Sequence, residues 1–214
     1  MHDLLLVVPT SWRTMATFFT ADLHFGHANI CAYTGRPYDS VEAMNAGLAA
    51  RWAETVGADD EVWILGDLAM GRIAETLPLV ADLPGRKILV PGNHDRCWAG
   101  AKDPTRWRDV YRREARLEAI VDAPARHRLP DGTVCTIDHF SYAGDSRDDD
   151  RYRPWRPVDG GGWLLHGHVH GAWRRRGRQI DVGVDAWAGR PVPVATLAGL
   201  VAAGPDDLDP LSWA

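Results

Sequence analysis

Short apolar runs, each closed by a glycine or a polar cluster, recur along this chain and set its plan. Thr17-Phe18-Phe19-Thr20-Ala21, Glu61 to Leu65 and Ile88 to Val90 are too short for core helices and rich in β-branched and aromatic residues. Each is predicted to be a strand. Each also ends on side chains that handle protons or metals: Asp22-Leu23-His24 after the first, Gly66-Asp67 after the second and Gly92-Asn93-His94-Asp95 after the third. Pro91-Gly92 forces the chain to bend where the third strand stops. Helix-sized stretches separate the strands. Val41, Met44, Leu48 and Trp52 form an i, i+3, i+4 stripe that predicts a helix from Val41 to Val56. Asp39 is the expected cap, with Glu42 three residues on, and Gly57 the expected stop. A second helical stretch runs from Arg72 to Leu83, with Pro78 as its expected break or kink. Strands alternating with helices predict an α/β fold with neighbouring parallel strands and right-handed crossovers.

The second half repeats the theme less regularly. Asp103 to Leu117 is expected to be helical within a polar, basic stretch that runs from Cys97 to Arg128. Thr133 to Ile137 is a strand ending at Asp138-His139-Phe140. The acidic run Gly144 to Asp150 reads as an exposed loop, its charge partly neutralised by Arg151, Arg153 and Arg156. Trp163 to His170 carries His166, His168 and His170 at alternate positions. If that end stays extended, the three imidazoles project to one side. Arg174, Arg175, Arg176 and Arg178 form a basic cluster, read as a hairpin tip or as a patch that follows a nucleic-acid backbone. Ile180 to Asp185 alternates like a strand, and Val192 to Ala203 is expected to finish the core as strand plus short helix. No internal repeat and no low-complexity linker interrupts the chain.

Composition narrows the function classes. A length of 214 residues suits one domain. A formal charge of -5 gives no general attraction to nucleic acid or anionic lipid, so an anionic substrate needs a local source of positive charge. Three scattered cysteines, Cys31, Cys97 and Cys135, make neither a disulfide framework nor a thiolate metal site, which points to a reducing, cytoplasmic setting. The run Leu4 to Val8 follows His2 and Asp3 and is neither a signal peptide nor a membrane span. Because Met15 stands directly before the first strand, residues 1–14 are expected to be a dispensable extension and 15–214 a single domain.

Asp22 and His24 are two apart and share one side of an extended chain, a start on a divalent-metal site. Any one of these blocks alone is also what an ordinary polar turn looks like. Together, Asp22-x-His24, Gly66-Asp67, Gly92-Asn93-His94-Asp95, His139 and Gly167-His168-Val169-His170 stand in an order that resembles the calcineurin-like metallophosphoesterases. The resemblance spans Thr17 to Val194. Phe19 to His27 extends the match to the small bacterial and phage-type members.

The resemblance implies a four-layer αββα sandwich, two mixed β-sheets flanked by helices. It implies two divalent ions (Mn, Fe, Zn or Mg, with Mn expected in vitro), one held by Asp22, His24 and His170, the other by Asn93, His139 and His168, with Asp67 bridging them. Nitrogen and oxygen donors without thiolate suit those ions independently. The implied reaction is hydrolysis of a phosphate ester, diesters preferred, by a hydroxide bridging the ions. His94 is assigned to hydrogen-bond a phosphoryl oxygen or protonate the leaving group, with Asp95 orienting it and favouring its charged form. His27 and Arg36 are candidate substrate contacts, and His166 supports its neighbours.

The expected partner is a small-molecule phosphate ester, with nucleic acid second, no membrane, and oligomeric state open. Alternatives are a phosphomonoesterase or nuclease on the same site, or a scaffold that keeps the fold without chemistry. A scaffold should have lost ligands, and none is missing. A metallo-β-lactamase-type hydrolase needs a His-x-His-x-Asp-His run, whereas Gly171 and Ala172 follow His170.

Overall fold

Phe18 and Phe19 sit side by side on the first strand, β1 (Thr17–Thr20), and turn to opposite faces, as the period of two requires. In the computed structural model, which describes residues 14–145 and 150–213, Phe18 joins a core beneath helices and Phe19 joins a second core. The expected N-terminal extension lies outside the described residues except for Thr14. β2 (Glu61–Ile64) pairs in parallel with β1, and β3 (Arg86–Leu89) in parallel with β2, as expected. β4 (Leu117–Ile120) extends this sheet on one edge, and β10 (Val192–Pro193) closes the other, antiparallel to β1.

Helices cover the outer face of that sheet. α2 (Val41–Ala53) buries Met44, Leu48 and Trp52. Its cap is Ser40 rather than Asp39: the Ser40 hydroxyl accepts the Ala43 amide at 3.0 Å. The helix ends at Ala53, before Gly57. α3 (Ile73–Ala81) runs straight through Pro78. One rung is lost there, while the wholly buried Leu77 and Val80 anchor the segment on either side. α4 (Pro104–Glu114) is shorter than expected because Leu117 is taken by β4. α1 (Ile30–Thr34) is a single turn that follows the first polar block.

The second sheet has the order β5 (Ala125–Arg128), β6 (Val134–Ile137), β7 (Leu164–His166), β9 (Gln179–Asp181) and β8 (Arg175–Arg176). β6, β7 and β9 are parallel, and the two edge strands are antiparallel to their neighbours. Inward residues of both sheets, among them Phe19, Leu65, Val90, Ile137, Leu165 and Ile180, make the second core, and α5 (Val194–Ala203) adds Leu197 to it. Two mixed five-stranded sheets flanked by helices therefore stack as the α/β sandwich expected from the sequence. The sheets are tied at one corner, where Val184 N donates to Ala21 O at 3.0 Å. The candidate site lies there. No helix among the described residues is long and apolar enough to cross a membrane.

Candidate metal centre

Five of the eight non-glycine residues with positive φ among the described residues are candidate ligands: Asp22 (57°), His24 (52°), Asp67 (56°), His168 (73°) and His170 (52°). Left-handed backbone costs a non-glycine residue about 1–3 kcal/mol and clusters where function over-determines the conformation. The extended Asp22-Leu23-His24 and the straight row of three imidazoles expected from the sequence are thus both replaced by sharp turns. β7 stops at His166. That side chain is buried, with Nδ1 against Gly167 O at 2.7 Å, while His168 and His170 line the pocket.

The turns bring distant blocks together. Asp67 Oδ2 lies 3.5 Å from His24 Nε2 and 3.6 Å from His139 Nε2. Asp67 Oδ1 accepts the His94 amide, and Asp22 Oδ2 accepts the His168 amide, both at 2.9 Å. Donor atoms of Asp22, His24 and His170 lie within 4.8 Å of one another, as do those of Asp22, Asp67 and His139. Asp22 thus belongs to both groups, where the resemblance gives the shared role to Asp67. Each carboxylate gives one oxygen to a backbone amide and keeps the other, Asp67 Oδ2 and Asp22 Oδ1, toward the cluster. His168 approaches by ring, 5.2 Å from His139 between centroids.

Glycine makes this closeness feasible. A Cβ on Gly66, at φ +93°, would overlap His139 Nδ1 and lie 2.6 Å from the Gly92 nitrogen.

The donor atoms fit a cation better than they fit each other. Asp22 Oδ1 and both ring nitrogens of His24 are buried with no hydrogen-bond partner in the protein, an arrangement that folded proteins rarely tolerate. At His139, Nδ1 faces the Leu65 carbonyl at 2.8 Å, and since a carbonyl only accepts, Nδ1 carries the proton. Nε2 therefore presents a lone pair, yet it faces Asn93 Oδ1 at 3.0 Å, while Asn93 Nδ2 donates to Tyr152 OH at 3.2 Å. Two acceptors face each other, and a cation resolves the conflict.

The same logic sets the other tautomers. His168 Nε2 meets Asp145 Oδ2 at 3.1 Å, and His170 Nδ1 meets Asp185 Oδ2 at 2.9 Å. Carboxylates only accept, so His168 Nδ1 and His170 Nε2 keep their lone pairs.

Charge follows burial and neighbours. Burial pushes His24 well below the usual histidine range and lowers His139, keeping both neutral and able to ligate. Burial also raises Asp22. Burial pushes Asp67 the same way, but His139, His24 and His94 outweigh it and hold the carboxyl below its ordinary range. At His170 burial is outweighed by the Asp185 hydrogen bond and by Asp22, so its value rises.

Two expected roles need correction. Arg36 does not face the pocket: it is 4 % exposed and bonded to Asp185 and to the carbonyls of Asp22 and Leu23. A charged side chain with internal partners of that quality is buried as structure. Asp95 does not orient His94. Its carboxylate accepts the amides of Asp67, Leu68 and Gly92 at 2.9–3.0 Å and so ties the second and third polar blocks together.

His94 remains a pocket residue, its side chain 41 % exposed and Nε2 4.0 Å from Asp67 Oδ2. His27 also lines the pocket, its ring 5.5 Å from that of His24. The cavity holds about 620 Å³, and Tyr33, Asp145, Arg151 and Tyr152 complete its walls. Asp145, Tyr152 and Asp185 carried no signal in the sequence beyond a polar loop and an alternating strand. Asp145 departs from the exposed loop expected there, since its side chain is only 9 % exposed.

The arginine cluster is partly engaged: Arg175 is buried, while Arg176 and Arg178 stay exposed. Arg174 stacks over Trp187 and Arg176 over Trp173, Arg175 bonds Leu200 O and Asp206 O, and Arg178 bonds Gly161 O. It is the hairpin of β8 and β9, with Gly177 at φ +56°.

Comparison with known proteins agrees with this geometry. The family model for calcineurin-like phosphoesterases matches residues 15–172. The Gene 66 protein of Mycobacterium phage L5 is 38 % identical over 184 residues, covering 80 % of this chain and 87 % of that protein. The Gene 66 protein of Mycobacterium phage D29 is 39 % identical over 184 residues, covering 79 % and 88 %. The crystal structure of a protein of unknown function from Aquifex aeolicus is similar in fold, with a TM-score of 0.65 at 24 % identity, covering 87 % of this chain and all of that one.

Proposed function

The chain belongs to the calcineurin-like phosphoesterase family, and from that premise we propose that it is a metal-dependent phosphodiesterase with two divalent ions. One position would be held by Asp22, His24 and His170 and the other by Asn93, His139 and His168, with Asp67 shared. The observation that carries this reading is the set of lone pairs without protein partners, Asp22 Oδ1, His24 Nε2 and the opposed His139 Nε2 and Asn93 Oδ1, around one Asp67 oxygen. Divalent ions bound there supply Lewis acidity and lower the pKa of water, the chemistry that phosphate-ester hydrolysis needs.

The chain's own residues supply the rest. His94 reaches the cavity and is free to hydrogen-bond a phosphoryl oxygen or hand a proton to the departing alcohol, work worth about a hundredfold or more. Its backbone amide fixes the Asp67 carboxylate, so the acid and the shared ligand move as one piece. Arg151, on the wall 5.6 Å from the Tyr152 ring, brings the positive charge that an anionic substrate needs in a chain of net charge -5. A cavity of about 620 Å³ is larger than one phosphate requires and has room for both arms of a diester. None of Arg174, Arg175, Arg176 and Arg178 lines the cavity, so the cluster adds nothing to a nuclease reading of this pocket.

The test is turnover of bis(p-nitrophenyl) phosphate and p-nitrophenyl phosphate by the full chain reloaded with Mn, Fe, Zn or Mg. Faster cleavage of the diester is expected. Monoester preference would replace the phosphodiesterase with a phosphomonoesterase, and cleavage of neither would leave a scaffold. His94→Asn should keep its metal content while kcat falls about a hundredfold.

A further inference from the structure

Behind the pocket, Arg36 and Asp185 meet 149 residues apart in sequence and are sealed from solvent, their side chains 0 % and 1 % exposed. The guanidinium has five N–H donors, and all are taken. Nε and Nη2 bind the two Asp185 oxygens at 2.7 and 2.9 Å, Nη2 also binds Asp22 O at 2.7 Å, and Nη1 binds Leu23 O at 3.0 Å and Met44 Sδ at 3.4 Å. The second Asp185 oxygen also receives His170 Nδ1 at 2.9 Å.

We infer that this ion pair is a positioning unit for one of the two cation positions, holding the Asp22-x-His24 turn and His170 in a single register. The inference rests on the metal reading above. Two features give the pair more than a packing role. First, Asp22, His24 and His170 all have left-handed backbone, which relaxes unless something clamps it, and the clamp on the first turn is the pair of carbonyls that Arg36 holds. Second, a carboxylate behind His170 Nδ1 keeps the proton on that nitrogen and leaves the lone pair on Nε2, in a ring whose centroid lies 5.3 Å from that of His24. An amide at position 185 can offer His170 an N–H instead, which reverses the tautomer. A lysine at position 36 has three donors on a flexible stem and cannot reproduce the fork.

The experiment is a calorimetric titration of the chelator-stripped full chain with Mn²⁺, in the wild type, Asp185→Asn, Arg36→Lys and the double variant, with circular dichroism to check folding. Two binding events are expected in the wild type. Asp185→Asn should weaken one of them about 10- to 100-fold and leave the other unchanged. Arg36→Lys should weaken the same event, and the double variant should be no worse than the poorer single one. A folded Asp185→Asn with both events at wild-type affinity, or with both weakened alike, overturns the inference.

Nitrogen-15 NMR of the wild-type apoprotein adds a readout that needs no variant to fold. At a pH high enough for the ring to be neutral, a proton on His170 Nδ1 is expected, and a proton on Nε2 instead overturns it. If the wild type takes up no Mn²⁺, the metal reading itself fails, an outcome distinct from an intact pair of sites that ignores Asp185.

Discussion

His168 and His170 stand two residues apart and are each backed by an aspartate held by an arginine, yet the two supports differ in kind. Behind His170, Arg36 and Asp185 are wholly inside, joined by two short hydrogen bonds, and the arginine also ties down the first turn. Behind His168, Arg156 reaches Asp145 at 3.3 Å and divides the same Nη2 with Asp150, a carboxylate 45 % exposed. Its Nη1 holds Ser141 O at 2.9 Å. The first support joins segments 149 residues apart, beside the corner where Val184 N meets Ala21 O, and losing it disturbs that corner. The second is a local loop that orients one ring. The pairs differ in partner rather than in burial alone: Arg156 and Asp145 are themselves only 6 % and 9 % exposed, but the arginine is divided with the half-exposed Asp150, whereas Arg36 is committed to a sealed Asp185, whose loss of its cation strands a charge.

Four measurements break or sharpen this contrast. Arg36→Met leaves the buried Asp185 without its guanidinium, with only the His170 ring as partner, and denaturant unfolding should show a loss of about 3–5 kcal/mol. A loss under about 1 kcal/mol would put the two supports in one class. Removing metal acts on both sides together. Mn²⁺ at a hundred times its Kd should stabilise the chain by about 2.7 kcal/mol for each site filled and raise Tm by roughly 5–10 °C per site for a domain of this size. A Tm that ignores Mn²⁺ and chelator alike would say that neither histidine serves an ion. Asp145→Asn should cost about 1 kcal/mol of stability, the scale of one hydrogen bond, while weakening the Mn²⁺ event that Asp185→Asn leaves alone. An exposed pair gives the lower end of the scale: Arg72 and Glu75 meet at 2.8 Å with side chains 83 % and 63 % exposed, and Arg72→Ala should change stability by less than about 0.5 kcal/mol.

The difference between the supports also marks what could be read from the chain beforehand. Each polar block is a local event, a strand end that delivers two or three donor side chains. That much was legible at Asp22 to His24, Asp67, Asn93 and His168 to His170. The parallel sheet and the Met44, Leu48 and Trp52 stripe were legible for the same reason, because periodicity is local.

What was not legible depends on partners far away. Arg36 reads as a loop arginine until Asp185 is placed beside it, and Asp185 reads as one polar tooth of an alternating strand. The left-handed turns at Asp22, His24, His168 and His170 are imposed by cross-chain hydrogen bonds such as His168 N to Asp22 Oδ2 and Arg36 to the Asp22 carbonyl. Propensity alone favours the extended chain expected there.

The strands β4 and β5 were missed because each buries little. Glu118, Arg126 and Arg128 face outward on them, so the residues look like a polar, basic connector. At the start of α2, Asp39 and Ser40 both offer a capping oxygen, and a one-residue choice between them is decided by the incoming chain direction.

The central claim is that two ions share Asp67, and electron paramagnetic resonance of the Mn²⁺-loaded protein tests it most directly. Two equivalents bound per chain, with the spectrum of an exchange-coupled pair that gives way to isolated Mn²⁺ in Asp67→Asn, is the predicted result. A single equivalent, or two that show no coupling in the wild type, would contradict it.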